Sequence, residues 1–218
     1  MLLPILDKLK EHKIVLASAS VNRKNILEKA NLTFEISPST FEENLPHSDF
    51  PTTSDYVVKT SEMKLVHKLQ EYNEKSLDAS IFIVADTIIS LNDSEILEKP
   101  QDKEHAFMML RRISDAGSHE VMTSVWIAFA KRNVESGMLE VTQKKNILDK
   151  TRVHFLPLSD EVIKAYVESG EPFGKAGGYG IQGIAGTFIH KIEGCYYSVW
   201  GFPLASFCRE LTDMINQQ

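Results

Sequence analysis

The apolar positions of this chain fall into two patterns, short continuous runs and helically spaced sets, which succeed one another along the sequence. Continuous runs of strand length are typical of strands buried in a sheet, whereas apolar residues three or four positions apart are typical of amphipathic helices. Residues 52–73 place Val58, Leu65, Leu69 and Tyr72 at helical spacing. Residues 81–85 form an apolar run that predicts a buried strand ending at Asp86. The succession predicts an α/β fold, and the length predicts one domain over residues 1–218.

The remaining segments extend the same pattern. Further strands are predicted at residues 14–17, 33–37, 121–130 and 151–156, and further helices at residues 22–30, around Ala106, Leu110 and Ile113, after Ser159, and after Pro203. Residues 88–91 and 95–98 flank a turn-forming segment and predict a small hairpin. The polar interval 131–149 predicts a long excursion at a hairpin tip, and residues 186–192 vary in polarity like a strand.

Residues 174–183 contain five glycines, together with Lys175 and Gln182. Glycines let backbone amides approach a ligand, and the two polar side chains add charge and hydrogen bonds, so the segment indicates a binding loop. A mobile surface loop is the alternative. The glycine spacing matches a dinucleotide-binding motif, but the strand-like segment that follows excludes it because that motif opens a helix. A P-loop is excluded because Ala176 follows Gly174-Lys175 and has no hydroxyl.

Composition and charge narrow the class of protein. The content of hydrophobic residues is 43% and that of charged residues 25%, which is ordinary for a globular protein, and no apolar run is long enough to cross a bilayer. A net charge of −6 argues against binding of a nucleic-acid polymer. The N-terminal apolar stretch is too short for a secretory signal. Cys195 and Cys208 are not in a C-x-x-C motif, so we expect reduced thiols and a cytoplasmic location.

Small hydroxyl residues lie between the first predicted strand and helix, where free backbone amides favour anions. Ser18 and Ser20 occupy this junction, and Arg23 follows as a candidate phosphate clamp. The alternative is that Ser20 only caps the helix and Arg23 is solvated. The segment itself leaves both interpretations open.

Asp86 is the best single candidate for a catalytic acid or a metal ligand, because open sheets bind ligands beyond the carboxyl ends of their strands. A turn-capping role is its main alternative. Glu42 and Glu43 are adjacent in a polar loop, and such paired carboxylates can hold a hard divalent ion together with water, although solvated side chains are the favoured alternative when the pair is taken alone. Lys64 on the long helix and Lys99 beside the hairpin are weak candidates when taken alone. The histidines show no zinc-ligand spacing, and no G-x-S-x-G motif supports a serine nucleophile.

Several short motifs occur in a set order along almost the whole chain. They are residues 14–20 with Arg23, Ala85-Asp86-Thr87, Glu98-Lys99-Pro100, residues 118–123, residues 174–183, and Glu193-Gly194 with residues 201–204. In this order they resemble the Maf (septum-formation) family of nucleotide pyrophosphatases. We therefore identify the chain as a member of that family by resemblance.

The resemblance implies a mixed twisted sheet flanked by helices around a central cleft, related to the inosine-triphosphate pyrophosphatase fold. It also implies hydrolysis of nucleoside triphosphates to monophosphate and pyrophosphate, a divalent cation such as magnesium or manganese, and a homodimer. Carried over by motif position, the catalytic residues are Asp86, Arg23, Lys64 and Lys99; the substrate-binding residues are Ser18, Thr87, Lys175 and Gln182, joined by Ser20; and the metal ligands are Glu43 and Asp86.

Asp86-Thr87 and residues 179–183 resemble the family branch that acts on dTTP and UTP, with CTP and modified pyrimidine nucleotides as further candidates. The amide of Gln182 both donates and accepts, which matches the edge of uracil or thymine. One position departs from the family, whose usual Pro-Arg-Arg reads Val21-Asn22-Arg23 here. Loss of one phosphate contact would cost about 1.5–3 kcal/mol and slow the enzyme. Asn22 also favours an alternative, a nucleotide-binding regulatory module with weak or lost catalysis.

Overall fold

The computed structural model describes residues 1–92 and 94–217. Within this part of the chain, seven strands form one mixed sheet. The strands are β1 (Ile14–Leu16), β2 (Glu35–Ile36), β3 (Ile81–Leu91), β4 (Glu95–Leu97), β5 (Ser118–Arg132), β6 (Leu139–Phe155) and β7 (Ile189–Glu193). Their order is β2-β1-β3-β5-β6-β7, and β4 pairs with β3. β1 lies parallel to β2 and β3, whereas all other pairs are antiparallel. The predicted α/β class is confirmed.

The five predicted helices occur in the predicted order, together with two short helices at residues 6–10 and 196–199 that were not predicted. The helices are α1 (Leu6–Lys10), α2 (Val21–Glu28), α3 (Thr53–Glu74), α4 (Lys103–Ala116), α5 (Asp160–Glu168), α6 (Tyr196–Val199) and α7 (Leu204–Asn216). The N-cap side chains Ser20, Thr52, Asp102 and Ser159 each accept a hydrogen bond from a backbone N–H three residues later. Each such cap is worth about 1 kcal/mol. None of the helices within the described residues is long and apolar enough to cross a membrane.

β3 is the central strand, and its two faces support different layers. Ile81 and Ile83 pack in a hydrophobic cluster with residues of α2 and α7. Phe82 and Val84 face the other way and pack with Leu65 of α3. A strand covered on both faces needs apolar residues at successive positions, which explains the continuous run in the sequence.

The prediction that this strand ends at Asp86 is wrong, because β3 continues to Leu91 while β5 pairs along it. On the other edge of β3, β1 pairs only with residues 81–83 and β4 only with residues 89–91. Residues 84–88 of β3 are therefore unpaired on this edge. Asp86 caps no turn; it lies with Thr87 in this gap between β1 and β4, which is where the chain forms its cleft.

Two other predictions are corrected. The interval 131–149 is not a long excursion, since β5 and β6 form a hairpin whose tip is only residues 133–138. The first part of β6 looks like a loop in sequence because few of its side chains are buried and its pairing is a backbone interaction. Residues 184–188 form a short 3-10 helix, so only the later part of the strand-like segment is strand β7. The β3–β4 hairpin is confirmed, although Asp93 in its turn lies outside the described residues.

Candidate active site

A cavity of about 560 Å³ opens at the gap beside β3, between the β1–α2 junction and the glycine-rich segment. Its lining includes all the residues predicted for the site: Ser18, Ser20, Arg23, Glu43, Lys64, Asp86, Thr87, Lys99, Lys175 and Gln182. They come from six separate stretches of chain. The structure therefore brings the whole predicted set together.

Arg23 is held from three sides at the start of α2. Its Nε donates to the backbone oxygen of Gly201 over 3.1 Å, its Nη1 to Ser18 Oγ over 3.2 Å, and its Nη2 to Thr87 Oγ1 over 3.0 Å. Each terminal nitrogen keeps one further N–H. The solvated alternative for Arg23 is thus wrong, while Ser20 does cap the helix by accepting from the Arg23 N–H over 3.4 Å.

Burial and the nearby carboxylates shift the pKa of Arg23 in opposite directions. Burial lowers the pKa of its guanidinium, and the carboxylates of Asp86 and Glu43 partly oppose this effect. A desolvated cation with fixed geometry and nearby N–H groups is suited to bind an anion strongly, because little solvent has to be displaced.

Lys64 lies between two carboxylates at the floor of the cavity. Its Nζ is 2.7 Å from Asp86 Oδ1 and 2.9 Å from Glu43 Oε1, and its side chain is 7% exposed. Burial alone would raise the pKa of Glu43, but Lys64, Lys99 and Arg23 together hold it below its ordinary value. Both acids thus share one buried ammonium, which fixes their positions before any ligand arrives.

The donor set of this acidic pair fits a hard divalent cation shared with a ligand. Carboxylate oxygens are the ligands that magnesium and manganese prefer, and magnesium usually keeps water and substrate phosphate as further ligands. Within the described chain no group of three His, Cys, Asp or Glu residues could hold a metal by itself. Glu43 and Asp86 could therefore supply only part of a coordination shell.

The glycine-rich segment forms the opposite wall. Gly177 has φ +64°, and its N–H donates to the Glu98 carbonyl over 2.8 Å, beside Lys99. Lys175 Nζ donates to the backbone oxygen of Glu171. A Cβ at Gly180 would lie 2.9 Å from the Lys175 side chain and 3.1 Å from Gln182 Oε1, so glycine allows both side chains to lie across the loop. This geometry supports the interpretation of residues 174–183 as a binding loop.

Sequence reasoning missed the groups that fix this wall. Glu171 accepts from Tyr166 Oη over 3.2 Å and from the Ile184 N–H over 3.0 Å, which holds the loop to α5. Beneath the loop, Tyr179 Oη and His119 Nε2 are 2.6 Å apart. Glu171 gave no signal in the sequence, whereas His119 lies in the motif of residues 118–123 and could have been singled out there.

Lys68 was missed as well. It is fully buried one turn after Lys64, and its Nζ donates to the Pro38 carbonyl over 2.7 Å and to Ser37 Oγ over 3.3 Å. These bonds tie α3 to the loop that leads to Glu43. The sequence did contain a signal for Lys68, because Lys64 and Lys68 are four positions apart and therefore lie on the same face of the helix.

The sheet, the helices on both its faces and the cleft at an unpaired stretch of β3 define an α/β protein with a highly charged ligand site. Residues 13–214 match the family model described as "Maf-like protein". The chain belongs to the Maf family, as its motifs predicted.

Curated relatives agree over most of the chain. A human protein described as "Probable bifunctional dTTP/UTP pyrophosphatase/methyltransferase protein" is 39% identical over 214 residues, which cover 98% of this chain but only 34% of that protein. A "dTTP/UTP pyrophosphatase" from Carboxydothermus hydrogenoformans is 38% identical over 207 residues, covering 92% of this chain and 98% of the relative. A solved HAM1 protein from Coxiella burnetii aligns over 92% of this chain and 98% of its own, with a TM-score of 0.47 and 15% identity.

Proposed function

We propose that this chain is a nucleoside triphosphate pyrophosphatase, which hydrolyses dTTP and UTP to the nucleoside monophosphate and pyrophosphate. The observation that carries the proposal is the contact of one buried ammonium, that of Lys64, with both Asp86 and Glu43 in a cavity that also contains the Arg23 guanidinium. Fixed carboxylates next to fixed cations are what water attack on a polyanion requires. The names of these relatives describe the same reaction.

The cations of the cavity neutralise the triphosphate. Arg23 offers the second N–H of each terminal nitrogen as a fork for two phosphate oxygens, since its other donors are used on Gly201, Ser18 and Thr87. Lys99 is 56% exposed and Lys175 lines the same wall, so both ammonium groups can move toward the phosphate chain. Their charge stabilises the transition state as negative charge moves to the leaving pyrophosphate.

Asp86 orients and deprotonates the attacking water. Lys64 binds its Oδ1, so Oδ2, which accepts no hydrogen bond from the described residues, is available to a water proton. The water oxygen attacks the α-phosphorus, its proton passes to Asp86, and the bond to the β-phosphate oxygen breaks to release pyrophosphate. Lys64 holds Asp86 in place for this step through its contact with Oδ1.

A divalent cation, magnesium or manganese, belongs to this proposal. Glu43 and Asp86 would hold it together with phosphate oxygens and water. When bound, it supplies positive charge beside the phosphates that are attacked and released. Since Lys64 already contacts both carboxylates, it keeps them close together without the cation.

Gln182 is the base-reading residue in this proposal. Its side chain is exposed at the mouth of the cavity, and its Nε2 donates to Asn22 Oδ1 over 3.2 Å. The Oε1 atom then remains to accept from the N3–H of uracil or thymine, a donor that cytosine lacks at that position. Asn22 thus contributes to orienting this amide, in addition to its effect on phosphate binding.

The protein acts as a homodimer in this account, which follows from the family resemblance, and its cytoplasmic location follows from the cysteine usage. Light scattering of the full chain at micromolar concentration tests the dimer: a mass near 49 kDa supports it, twice the 24.6 kDa of one chain. A mass near 24.6 kDa contradicts it.

Pyrophosphate release tests the activity. Wild-type protein and Asp86→Asn are assayed on UTP, dTTP, CTP, GTP and ATP with magnesium or manganese. We expect release from UTP and dTTP that nearly vanishes in the variant, while its thermal unfolding and nucleotide binding remain. No release by the wild type from any of these nucleotides, with tight binding retained, would support the regulatory-module alternative instead.

A further inference from the structure

We infer that Thr123 is a positioning residue for Arg23, although Thr123 does not line the cavity. Thr123 lies on β5, in register with Thr87 of β3, and its side chain is fully buried. The inference rests on the proposed function where it concerns phosphate chemistry at Arg23. The structural part of the inference is independent of that function. It is a ring of hydrogen bonds that holds the guanidinium and passes through Arg23, Thr87, Thr123, Ser198 and Gly201.

In the first half of the ring, the donor and the acceptor of each hydrogen bond made by Thr123 can be assigned without ambiguity. Thr123 Oγ1 donates to the Ser198 carbonyl over 3.1 Å, because a carbonyl oxygen can only accept. The Thr123 hydroxyl has one proton, so over the 3.0 Å to Thr87 Oγ1 it must accept and Thr87 must donate. Thr87 in turn accepts from Arg23 Nη2 over 3.0 Å.

The second half of the ring returns to the same guanidinium. The Ser198 carbonyl that binds Thr123 also accepts from the Gly201 N–H over 2.8 Å. The carbonyl of Gly201 accepts from Arg23 Nε over 3.1 Å. Gly201 has φ +112°, a conformation that favours glycine and turns its carbonyl toward Arg23. Thr123 therefore supports Arg23 at both Nη2 and Nε.

This ring has a consequence for the ligand. Because the Thr87 proton is donated to Thr123, Thr87 can only accept from a substrate, so it faces a donor group and not an unprotonated phosphate oxygen. The guanidinium is held at Nε by Gly201, at Nη2 by Thr87 and at Nη1 by Ser18, and each terminal nitrogen keeps a second N–H for a ligand. Removing the Thr123 hydroxyl should free the guanidinium to rotate.

Three variants of the full chain separate positioning from packing. Thr123→Val keeps the branched shape and removes the hydroxyl, and the Ser198 carbonyl still has the Gly201 N–H, so the fold is expected to persist. Thr123→Ser keeps the hydroxyl. Ser124→Ala removes an equally buried hydroxyl whose partners are Ser61 and Asn146, on the other side of the strand.

The first readout is the side-chain Nε–H signal of Arg23 in a nitrogen-15 NMR spectrum, assigned as the signal lost in Arg23→Lys. We expect a slowly exchanging signal in the wild type, Thr123→Ser and Ser124→Ala, and a fast-exchanging or broadened one in Thr123→Val. An unchanged, protected signal in a folded Thr123→Val would overturn the inference. This readout needs no activity, so it remains decisive if the proposed function fails.

The second readout is kcat/KM for UTP in a double-mutant cycle. Thr123→Val alone should lower it about 10- to 100-fold, the order expected when a positioned group is misplaced, and Thr123→Ser should restore it. In the Arg23→Lys background, Thr123→Val should have little further effect, because the residue it positions is gone. If Thr123→Val lowers kcat/KM in the Arg23→Lys background by the same factor as in the wild type, Thr123 does not act through Arg23. An inactive wild type would count against the proposed function only.

Discussion

Asn22 and Gln182, which are 160 positions apart in sequence, meet at the mouth of the cavity, where Gln182 Nε2 donates to Asn22 Oδ1 over 3.2 Å. Asn22 occupies the position at which the resembled family usually has arginine, and the wall opposite carries the proposed base-reading amide. The change removes a cation from the phosphate side and adds a hydrogen-bond partner for that amide. This chain therefore combines a smaller positive charge with a better-defined Gln182.

Asn22→Ala tests this relationship. Loss of one hydrogen bond of about 0.5–1.5 kcal/mol should lower the preference for UTP over CTP by about 2- to 10-fold, because the Gln182 amide becomes free to turn. The rate on UTP itself should change less than the ratio. Competition assays with both nucleotides give the ratio directly, and an unchanged ratio would remove Asn22 from base selection.

Lys64→Met should destabilise the fold by about 3 kcal/mol at pH 7, because it leaves the buried Asp86 carboxylate without its paired cation and Glu43 with only the 3.6 Å contact to Lys99. The pKa of Glu43 is lowered in the folded state, so its stabilising contribution is full above pH 4.5 and is lost as the pH falls through its folded pKa. The difference in unfolding free energy between wild type and variant should thus shrink from pH 7 to pH 4.

Urea titrations at both pH values measure that difference. Lys144→Met is the matched control, since Lys144 is half-exposed and pairs with Glu62 over 3.1 Å at the surface. Its cost should stay below about 1 kcal/mol. Equal costs for the two lysine variants would show that the buried ammonium does not hold the carboxylates as described.

His119 should make the fold sensitive to mild acid. Burial, with a smaller contribution from His154, lowers the pKa of His119 to about 3 from an ordinary 6.5. Above pH 6.5 both folded and unfolded states are neutral at this residue; below it the unfolded state gains a proton that the folded state does not accept. The unfolding free energy should therefore fall by up to about 1.4 kcal/mol per pH unit as the pH drops below 6.5.

Chemical denaturation of wild type and His119→Gln between pH 7 and pH 5 isolates this effect, because all other titrating groups are shared. The wild type should lose more stability than the variant over this interval. Parallel pH profiles would mean that His119 accepts a proton in the folded state and that burial does not keep it neutral.

Gly183→Ala should disrupt the binding loop through Glu171. The backbone of Gly183, at φ −108°, accepts alanine, but a Cβ there would lie 2.2 Å from Glu171 Oε1. Displacing this carboxylate frees the Ile184 N–H, so we expect a KM for UTP raised about 10-fold, equivalent to one charge-assisted hydrogen bond. In the Glu171→Ala background the same alanine has room and should add little; a full additional loss there would point to backbone strain instead.

The sequence predicted the residues of the site better than the way the fold assembles them. Asp86 was predicted correctly as a cleft residue but for an incomplete reason, since it lies within a long strand whose neighbour β1 stops early. Apolar patterns report burial, and they cannot show where a partner strand ends. Likewise, the first part of β6 pairs through its backbone while few of its side chains are buried, so its polar sequence predicted a loop.

The supporting contacts of the site depend on residues distant in sequence. Lys68, Glu171 and Thr123 each have a supporting partner elsewhere in the chain, at 30, 13 and 36 to 75 positions respectively. Each looks like an ordinary polar residue of a helix, loop or strand when read alone. By contrast, Arg23 and Gln182 carried local signals, a strand–helix junction and a glycine-rich loop, which is why they were predicted.

The position of water attack tests the central claim most directly. The full chain is incubated with UTP and magnesium in water enriched in oxygen-18, and the products are analysed by phosphorus-31 NMR or mass spectrometry. The account predicts one labelled oxygen in UMP and none in pyrophosphate, because water aligned by Asp86 attacks the α-phosphorus. Label in pyrophosphate, or release of UDP with orthophosphate, would contradict it.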